Sequence, residues 1–397
     1  MRAIRRLYRM LNRASSTVPI SFPQVGRKSD GVDILGFFTS EHGVGQAARV
    51  LAKTLESVSV PVSTIDYTDT ESRREHPYRC DNVSQYKVLL ASINSEQLVA
   101  AHHRISPDFF RDRYVIGQWF WELEEAPSWF APAFPLLNEL WAPTRFIESM
   151  LRSCVPPSVR VVYMPLPVLV PVTDASLSRA HFGLDDRYMF LFAFDFMSVM
   201  KRKNPLGLVE AFRSAFSDGE GPQLVIKGIN GDKRPTELAA LRQAVSGRTD
   251  ITFIDGYFTR IETSTLIGLA DCYVSLHRSE GLGLTISEAM SLAVPVIATG
   301  YSGNLDFMEI TNSKLVPSLK RVPVGFGAEG YSPTATWMEP DLEQAAQYMR
   351  LMYENPQAGS DMGERGRRDV LRTYNVEQCG VIMRNRLDHI WRTLNAN

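Results

Sequence analysis

Two glutamates around a glycine-rich turn are the residues here whose type and spacing could do chemistry. Glu280 and Glu288 bracket Gly281-Leu282-Gly283-Leu284-Thr285, between the apolar run Cys272 to Leu276 and an amphipathic stretch from Thr285 to Leu292. Gly281 and Gly283 let the backbone approach a ligand, and free amides at the start of the Thr285 helix, reinforced by its dipole, would hold phosphate oxygens. A carboxylate beside such a phosphate would not bind it. Its natural partners are hydroxyls, and a nucleotide sugar offers two sets, ribose and sugar, on opposite sides of one diphosphate. Glu288 has a second reading, because Thr285-x-x-Glu288 ahead of an apolar helix is itself a capping box that needs no ligand. Glu280 would otherwise be a solvated loop carboxylate.

Lys201, Arg202 and Lys203 follow the apolar run Tyr188 to Phe194 and precede a helix start at Asn204-Pro205. Cations clustered at a strand's carboxyl end suit a leaving diphosphate; the alternative is a solvated charge run. Lys227 ends another strand, where Gly228 permits close approach, and reads equally as a surface lysine. Asp255-Gly-Tyr257-Phe258 follows the next strand. Near the N-terminus, Thr39 to Gly45 carries His42, Gly43 and Gly45, without the spacing of a dinucleotide fingerprint or a P-loop. His42 also reads as an ordinary surface histidine. In an extended chain Trp119 and Trp121, followed by Glu122, would point the same way, giving an acceptor platform for a sugar or, the commoner use of such a pair, core or interdomain packing. Neither an Asp-x-Asp triplet nor a Gly-x-Ser-x-Gly elbow is present, so no metal-diphosphate device is expected.

These residues need a scaffold, and 397 residues are too many for one ordinary core. With 44% hydrophobic and 22% charged residues the chain is globular in composition. The 43 basic and 44 acidic side chains nearly cancel, which argues against nucleic acid as a partner. The balance is uneven, because residues 1 to 28 hold Arg2, Arg5, Arg6, Arg9, Arg13, Arg27 and Lys28 with no acid. Within this arm Ile4, Leu7, Tyr8 and Leu11 share a helical face, the pattern of an interfacial helix on anionic lipid; a solvated basic tail or a transit peptide are its other readings. The arginines interrupt any secretory leader, so the chain reads as cytoplasmic, with a peripheral seat on the membrane through the arm. Four scattered cysteines read as reduced.

Short apolar runs alternate with amphipathic stretches from residue 32 onward, the rhythm of a parallel sheet covered by helices. Strands are expected at Asp33 to Phe38, Val60 to Ile65, Tyr86 to Ala91, Tyr114 to Gln118, Glu139 to Ala142 and Val159 to Tyr163, with helices near Gln46 to Ser57, Phe130 to Leu137 and Arg145 to Ser153. Pro165, Pro167 and Pro171 mark a linker, after which a second βα series runs from Tyr188 to Thr299. The division is an arm over 1–29, domains over 30–170 and 171–375, and a helix over 376–397 returning towards the first domain.

The stretch from Ser275 to Met290, continued by Ser-Leu-Ala-Val-Pro-Val-Ile-Ala-Thr299, resembles the signature of the family 4 retaining glycosyltransferases, the group 1 glycosyltransferases, in which two glutamates at this spacing flank a Gly-rich turn. The resemblance implies an α/β chain of GT-B architecture: two Rossmann-like doubly wound parallel-sheet domains facing across a cleft. It implies that Glu280 contacts donor-sugar hydroxyls, Glu288 the ribose, and the amides from Gly281 through Leu282, Gly283 and Leu284 to Thr285 the diphosphate. In the family an Arg and a Lys clamp that diphosphate. Aligning the Lys with Lys203 puts Ser198 where the Arg belongs, and Arg202 is the nearest substitute. Tyr257 then lies near the base pocket, while His42, Gly43 and Gly45 close the site from across the cleft. Many members carry a His near Trp121-Glu122, so their acceptor contacts do not transfer. The implied activity moves a hexose-type sugar from a GDP- or UDP-sugar co-substrate to a hydroxyl of a glycan or lipid-linked acceptor, with no permanently bound cofactor; the look of the motif favours GDP-mannose. A GT-B sugar-nucleotide epimerase and a non-catalytic sugar-nucleotide-binding adaptor are the alternatives.

Overall fold

The computed structural model describes residues 20–396, which form two compact units. The first comprises the chain up to Pro167 and again from Tyr374; the second runs from Val168 to Thr373. The interfacial helix expected from Ile4 to Leu11 lies outside the described residues.

In the first unit β1 (Gln24–Gly36), α1 (Gly43–Ser57), β2 (Val62–Asp66), β3 (Ser84–Ser92), α2 (Ser95–Arg104), β4 (Tyr114–Gln118), β5 (Glu139–Ala142), α3 (Arg145–Cys154) and β6 (Arg160–Tyr163) follow in order. The strands form one parallel sheet in the order β2-β1-β3-β4-β5-β6. Val32, Ile34, Leu35, Val88, Leu89 and Leu90 are fully buried, as strands covered on both faces require. Strand β1 starts at Gln24 rather than Asp33, so part of the expected basic arm is strand. Its polar first half lacks apolar alternation and pairs through the backbone with β3, with register shifts on either side of Lys28. The segment expected as a helix from Phe130 is a 3-10 run, Ser128–Leu136, because Pro132 and Pro135 supply no amide to an α-helical ladder.

The second unit holds β7 (Met189–Asp195), the single turn α4 (Met200–Lys203), α5 (Pro205–Ala215), β8 (Gln223–Ile229), α6 (Pro235–Val245), β9 (Ile251–Asp255), α7 (Arg260–Gly268), β10 (Cys272–Ser275), α8 (Leu284–Ser291), β11 (Val296–Thr299) and β12 (Lys314–Val316). A hairpin of β13 (Ser318–Pro323) and β14 (Thr336–Pro340) precedes α9 (Leu342–Glu354) and α10 (Pro356–Thr373). Six strands form a parallel sheet ordered β12-β11-β10-β7-β8-β9. Counted from β7, this is the Rossmann strand order.

The last helix, α11 (Val376–Ala396), belongs to the first unit. Buried Glu139 on β5 anchors it: its carboxylate accepts from Arg386 Nε at 2.9 Å, Tyr114 Oη at 3.0 Å and Trp141 Nε1 at 2.8 Å. Trp391 Nε1 adds a bond to Gly31 O at 3.2 Å. No helix among the described residues is long and apolar enough to cross a membrane.

Candidate active site

The second sheet grows in one direction from β7 through β8 and β9, and in the other from β10 through β11 and β12. Between β7 and β10 lies the switch point, where open α/β sheets bind ligands beyond their strand ends. The loops leaving these two strands are joined here. Asn204 Nδ2 donates to Leu276 O at 2.9 Å, Arg278 N to Arg202 O at 2.8 Å, and Arg202 Nη1 to Ser279 O at 2.9 Å. Entry to α4 is through Val199 at φ 65° and exit through Asn204 at φ 56°, both left-handed. A β-branched residue there is a genuine outlier.

The join brings Glu280 against both cations. Lys203 Nζ lies 2.5 Å from Oε1 and Arg202 Nη1 3.1 Å from Oε2. All three side chains are at most 15% exposed, so the Glu280 carboxylate and the cations form a buried cluster with net charge of one positive. Burial by itself would raise the Glu280 pKa, but Lys203 and then Arg202 outweigh it and hold the carboxyl down at about 2. Ser198 is half-buried, and its carbonyl accepts from Arg202 Nε at 3.2 Å. Glu280's backbone is fixed from the loop after β11: its amide donates to Ser302 Oγ at 2.8 Å and its carbonyl accepts from Gly303 N at 2.9 Å. A Cβ on Gly303 would stand 2.0 Å from Gly281 O, so only glycine fits this approach.

Helix α8 starts at Leu284 behind Gly283, which has φ 88° and gives no side-chain cap. Thr285 therefore lies inside the first turn, and the Thr285-Glu288 capping box does not form. The first helical bond runs from Ser287 N to Gly283 O at 3.0 Å. The amides of Leu284, Thr285 and Ile286 precede it and have no acceptor within the helix. Leu282 and Thr285 are half-buried. Glu288 is buried and forms a two-pronged ion pair with Arg260, whose Nη1 lies 3.3 Å from Oε2.

Lys227 is buried rather than on the surface. Its ammonium donates to Gly228 O at 3.0 Å and to Gly256 O, and sits 4.6 Å from the Phe258 ring centre. Burial lowers its pKa to about 8. Tyr257 Oη donates to Asn230 Oδ1 at 2.7 Å, and Asn230 Nδ2 donates to Asp195 Oδ1 at 2.8 Å at the end of β7. Reading the sequence missed His277, between β10 and Glu280. It is fully buried, with Nε2 3.1 Å from Asn304 Oδ1 and Nδ1 3.1 Å from Ser275 Oγ. Asn304 Nδ2 bonds Thr299 O at 2.9 Å, so its oxygen faces the imidazole and Nε2 carries the proton. Burial lowers the His277 pKa, in keeping with that neutral form. Its position two residues beyond a buried strand was the available signal.

In the first unit His42 caps α1, Nδ1 accepting from Gly45 N at 3.2 Å. Burial and then Arg49 lower its pKa to about 4. A Cβ on Gly45 would stand 2.6 Å from Phe37 O, and Gly43 opens the helix. Trp119 and Trp121 offer no open platform, so the acceptor reading is corrected and the core-packing reading holds. Trp119 is fully buried against Phe130 and Phe134, and Trp121 packs on Trp129 and Phe130 while donating to Glu125 O at 2.9 Å. The aromatic 3-10 run covers both rings. Glu122 between them and the loop is half-buried.

Two six-stranded parallel sheets covered by helices define the GT-B architecture, and solved structures agree. Sucrose-phosphate synthase from Thermosynechococcus elongatus aligns with a TM-score of 0.67 at 14% identity, over 92% of this chain and 99% of that one. HepE from Anabaena, solved in complex with UDP-glucose, aligns at 0.64 with 13% identity, over 91% of this chain and 100% of its own. Residues 189–316 match the family described as Glycosyl transferases group 1, the family that the Glu280 to Thr299 stretch resembles. Trehalose synthase from Rubrobacter xylanophilus is 24% identical over 273 residues, 64% of this chain. The chain spans 59% of the length of that relative.

Proposed function

We propose that this protein is a retaining glycosyltransferase that moves a hexose-type sugar from a nucleoside-diphosphate sugar to a hydroxyl of a glycan or lipid-linked acceptor. The observation that carries the reading is the Lys203–Glu280–Arg202 cluster at the switch point of a Rossmann-ordered sheet. Beside it stand the first-turn amides of α8, which have no acceptor within the helix, a second donor set for phosphate oxygens. Glu280 serves the donor sugar and Glu288 the ribose; Gly281 to Thr285 serve the diphosphate, and Tyr257 lies towards the base. The bond from the anomeric carbon to the leaving phosphate breaks as the acceptor oxygen attacks the same face. The acceptor proton passes to the departing phosphate. Lys203, Arg202 and the helix amides stabilise the charge that develops there. UDP-glucose, bound in the HepE neighbour, is the first donor to try.

The test is a thermal-shift panel of UDP, GDP, ADP and CDP with their sugar conjugates. A ligand at about 100 Kd stabilises by ~2.7 kcal/mol, which a melting curve resolves. A selective shift with one base is the expected result and names the donor class. No shift with any of them refutes the reading.

A further inference from the structure

The β13–β14 hairpin lies beyond the segment that the family match covers. Its residues nevertheless reach the site through Arg278. This guanidinium is paired fork to fork with Glu339 on β14, Nε to Oε2 at 2.6 Å and Nη2 to Oε1 at 2.7 Å. Its remaining nitrogen, Nη1, donates to Lys201 O at 2.6 Å, and its own amide donates to Arg202 O at 2.8 Å. The Arg278 carbonyl in turn accepts from Met338 N at 3.2 Å. Further along the hairpin, Phe326 O accepts from Lys201 Nζ at 2.7 Å.

These bonds converge on α4, an element with little reason to hold its own shape. One helical turn lacks the length over which helix formation becomes favourable. Both its flanking residues, Val199 and Asn204, are left-handed, and a β-branched residue in that region persists only where its surroundings over-determine it. Yet this turn carries Arg202 and Lys203. Lys201, the third cation of the run, spends its ammonium on the hairpin, which separates a tethering lysine from the pair that meets Glu280.

We propose that Arg278 and Glu339 are positioning residues: with β14 as the anchor, they fix the backbone of α4 so that Arg202 and Lys203 present their charges to the donor diphosphate. The inference rests on the nucleotide-sugar reading above. It also accounts for a chain that has Ser198 where the family has an Arg, since the cations here stand on a turn whose place is set from outside.

The experiment is a double-mutant cycle read by calorimetric titration, with UDP and inorganic pyrophosphate as probes. Arg278→Lys keeps a charge for Glu339 but cannot reach Lys201 O at the same time. In the wild-type background it weakens binding by about tenfold, the lower end for losing a charged hydrogen bond. In a Lys203→Ala background the same change costs less, about threefold, because only Arg202 is then left on α4 to position. Equal losses in the two backgrounds, or wild-type affinity for Arg278→Lys, overturn the proposal, since a merely structural role is additive. Glu339→Gln replaces Arg278→Lys in the cycle if the latter does not fold. Should the wild type bind neither UDP, GDP, ADP and CDP nor pyrophosphate, the diphosphate reading itself fails and takes the proposal with it.

Discussion

Replacing Glu280 with glutamine should make the ligand-free protein less stable and the nucleotide-bound protein comparatively more so. The carboxylate faces two cations, and Arg202 beside it is 4% exposed. A carboxyl held at about 2 instead of its ordinary 4.5 favours the charged form by roughly 3 kcal/mol. Glutamine keeps an acceptor oxygen, so the loss at neutral pH is about 1.5–3 kcal/mol. For a unit of this size that lowers the melting temperature by about 5–10 °C. Bare UDP carries no sugar for Glu280 to contact, and its diphosphate returns anionic charge to Arg202 and Lys203. The shift that saturating UDP produces should therefore be larger in Glu280→Gln than in the wild type. Differential scanning fluorimetry of both proteins, with and without UDP, measures this directly. The Glu280 pKa is depressed, so its contribution is complete above pH 4.5 and declines as the pH falls towards 2. The gap between the two ligand-free proteins must close in that window. An unchanged melting temperature in the variant, or a UDP shift no larger than the wild type's, refutes the reasoning.

Lys203→Ala, removing one preorganised donor to developing charge, should lower turnover by ~10²–10³ while the fold survives; turnover within a few-fold of wild type in a donor-consumption assay would show that Lys203 does not meet the leaving group. Glu288→Gln should weaken nucleotide binding by at least about tenfold in the same titrations, whereas a lower melting temperature with unchanged affinity would leave Glu288 only its Arg260 pair. Lys227 has a folded pKa of about 8 against 10.5, so the unfolded chain binds the extra proton between those values and stability rises with pH there. Compared with Lys227→Met, the wild type should gain on the order of 3 kcal/mol across that window, read from paired denaturant melts, and a flat difference contradicts the assignment.

The alternation of apolar and amphipathic stretches made the two parallel sheets legible, since buried strands such as Met189 to Asp195 are continuous apolar runs that little else explains. Glu280, Glu288 and Lys203 stood out as candidates, because a glycine turn between carboxylates has few structural uses; their roles towards a ligand are proposals. What stayed hidden depended on the meeting of distant segments. Lys227 follows the apolar run Leu224 to Ile226 and reads by sequence equally as a surface lysine; in the fold it is buried, with Gly256 and Phe258 coming to it from beyond β9. Trp119 and Trp121 alternate as a surface pair would, yet the proline-bearing 3-10 run folds over them. The hairpin left no trace, because β13 is exposed along most of its length and lacks an apolar period. Glu339 accordingly looked like any other carboxylate.

Helix α11, which Glu139 anchors through Arg386, also has a bearing on the order in which the molecule is made. The second unit is one continuous segment, whereas the first needs residues from both sides of it. On a ribosome, everything from Val168 to Thr373 has been synthesised before the helix that completes the earlier unit emerges. The later unit can close while its predecessor still presents the Glu139 carboxylate without Arg386 and the apolar surface that Met383, Leu387 and Ile390 will cover. Birth order and completion order are thus reversed, and a nascent chain halted near residue 373 should resist protease in its second half while its first half is cut.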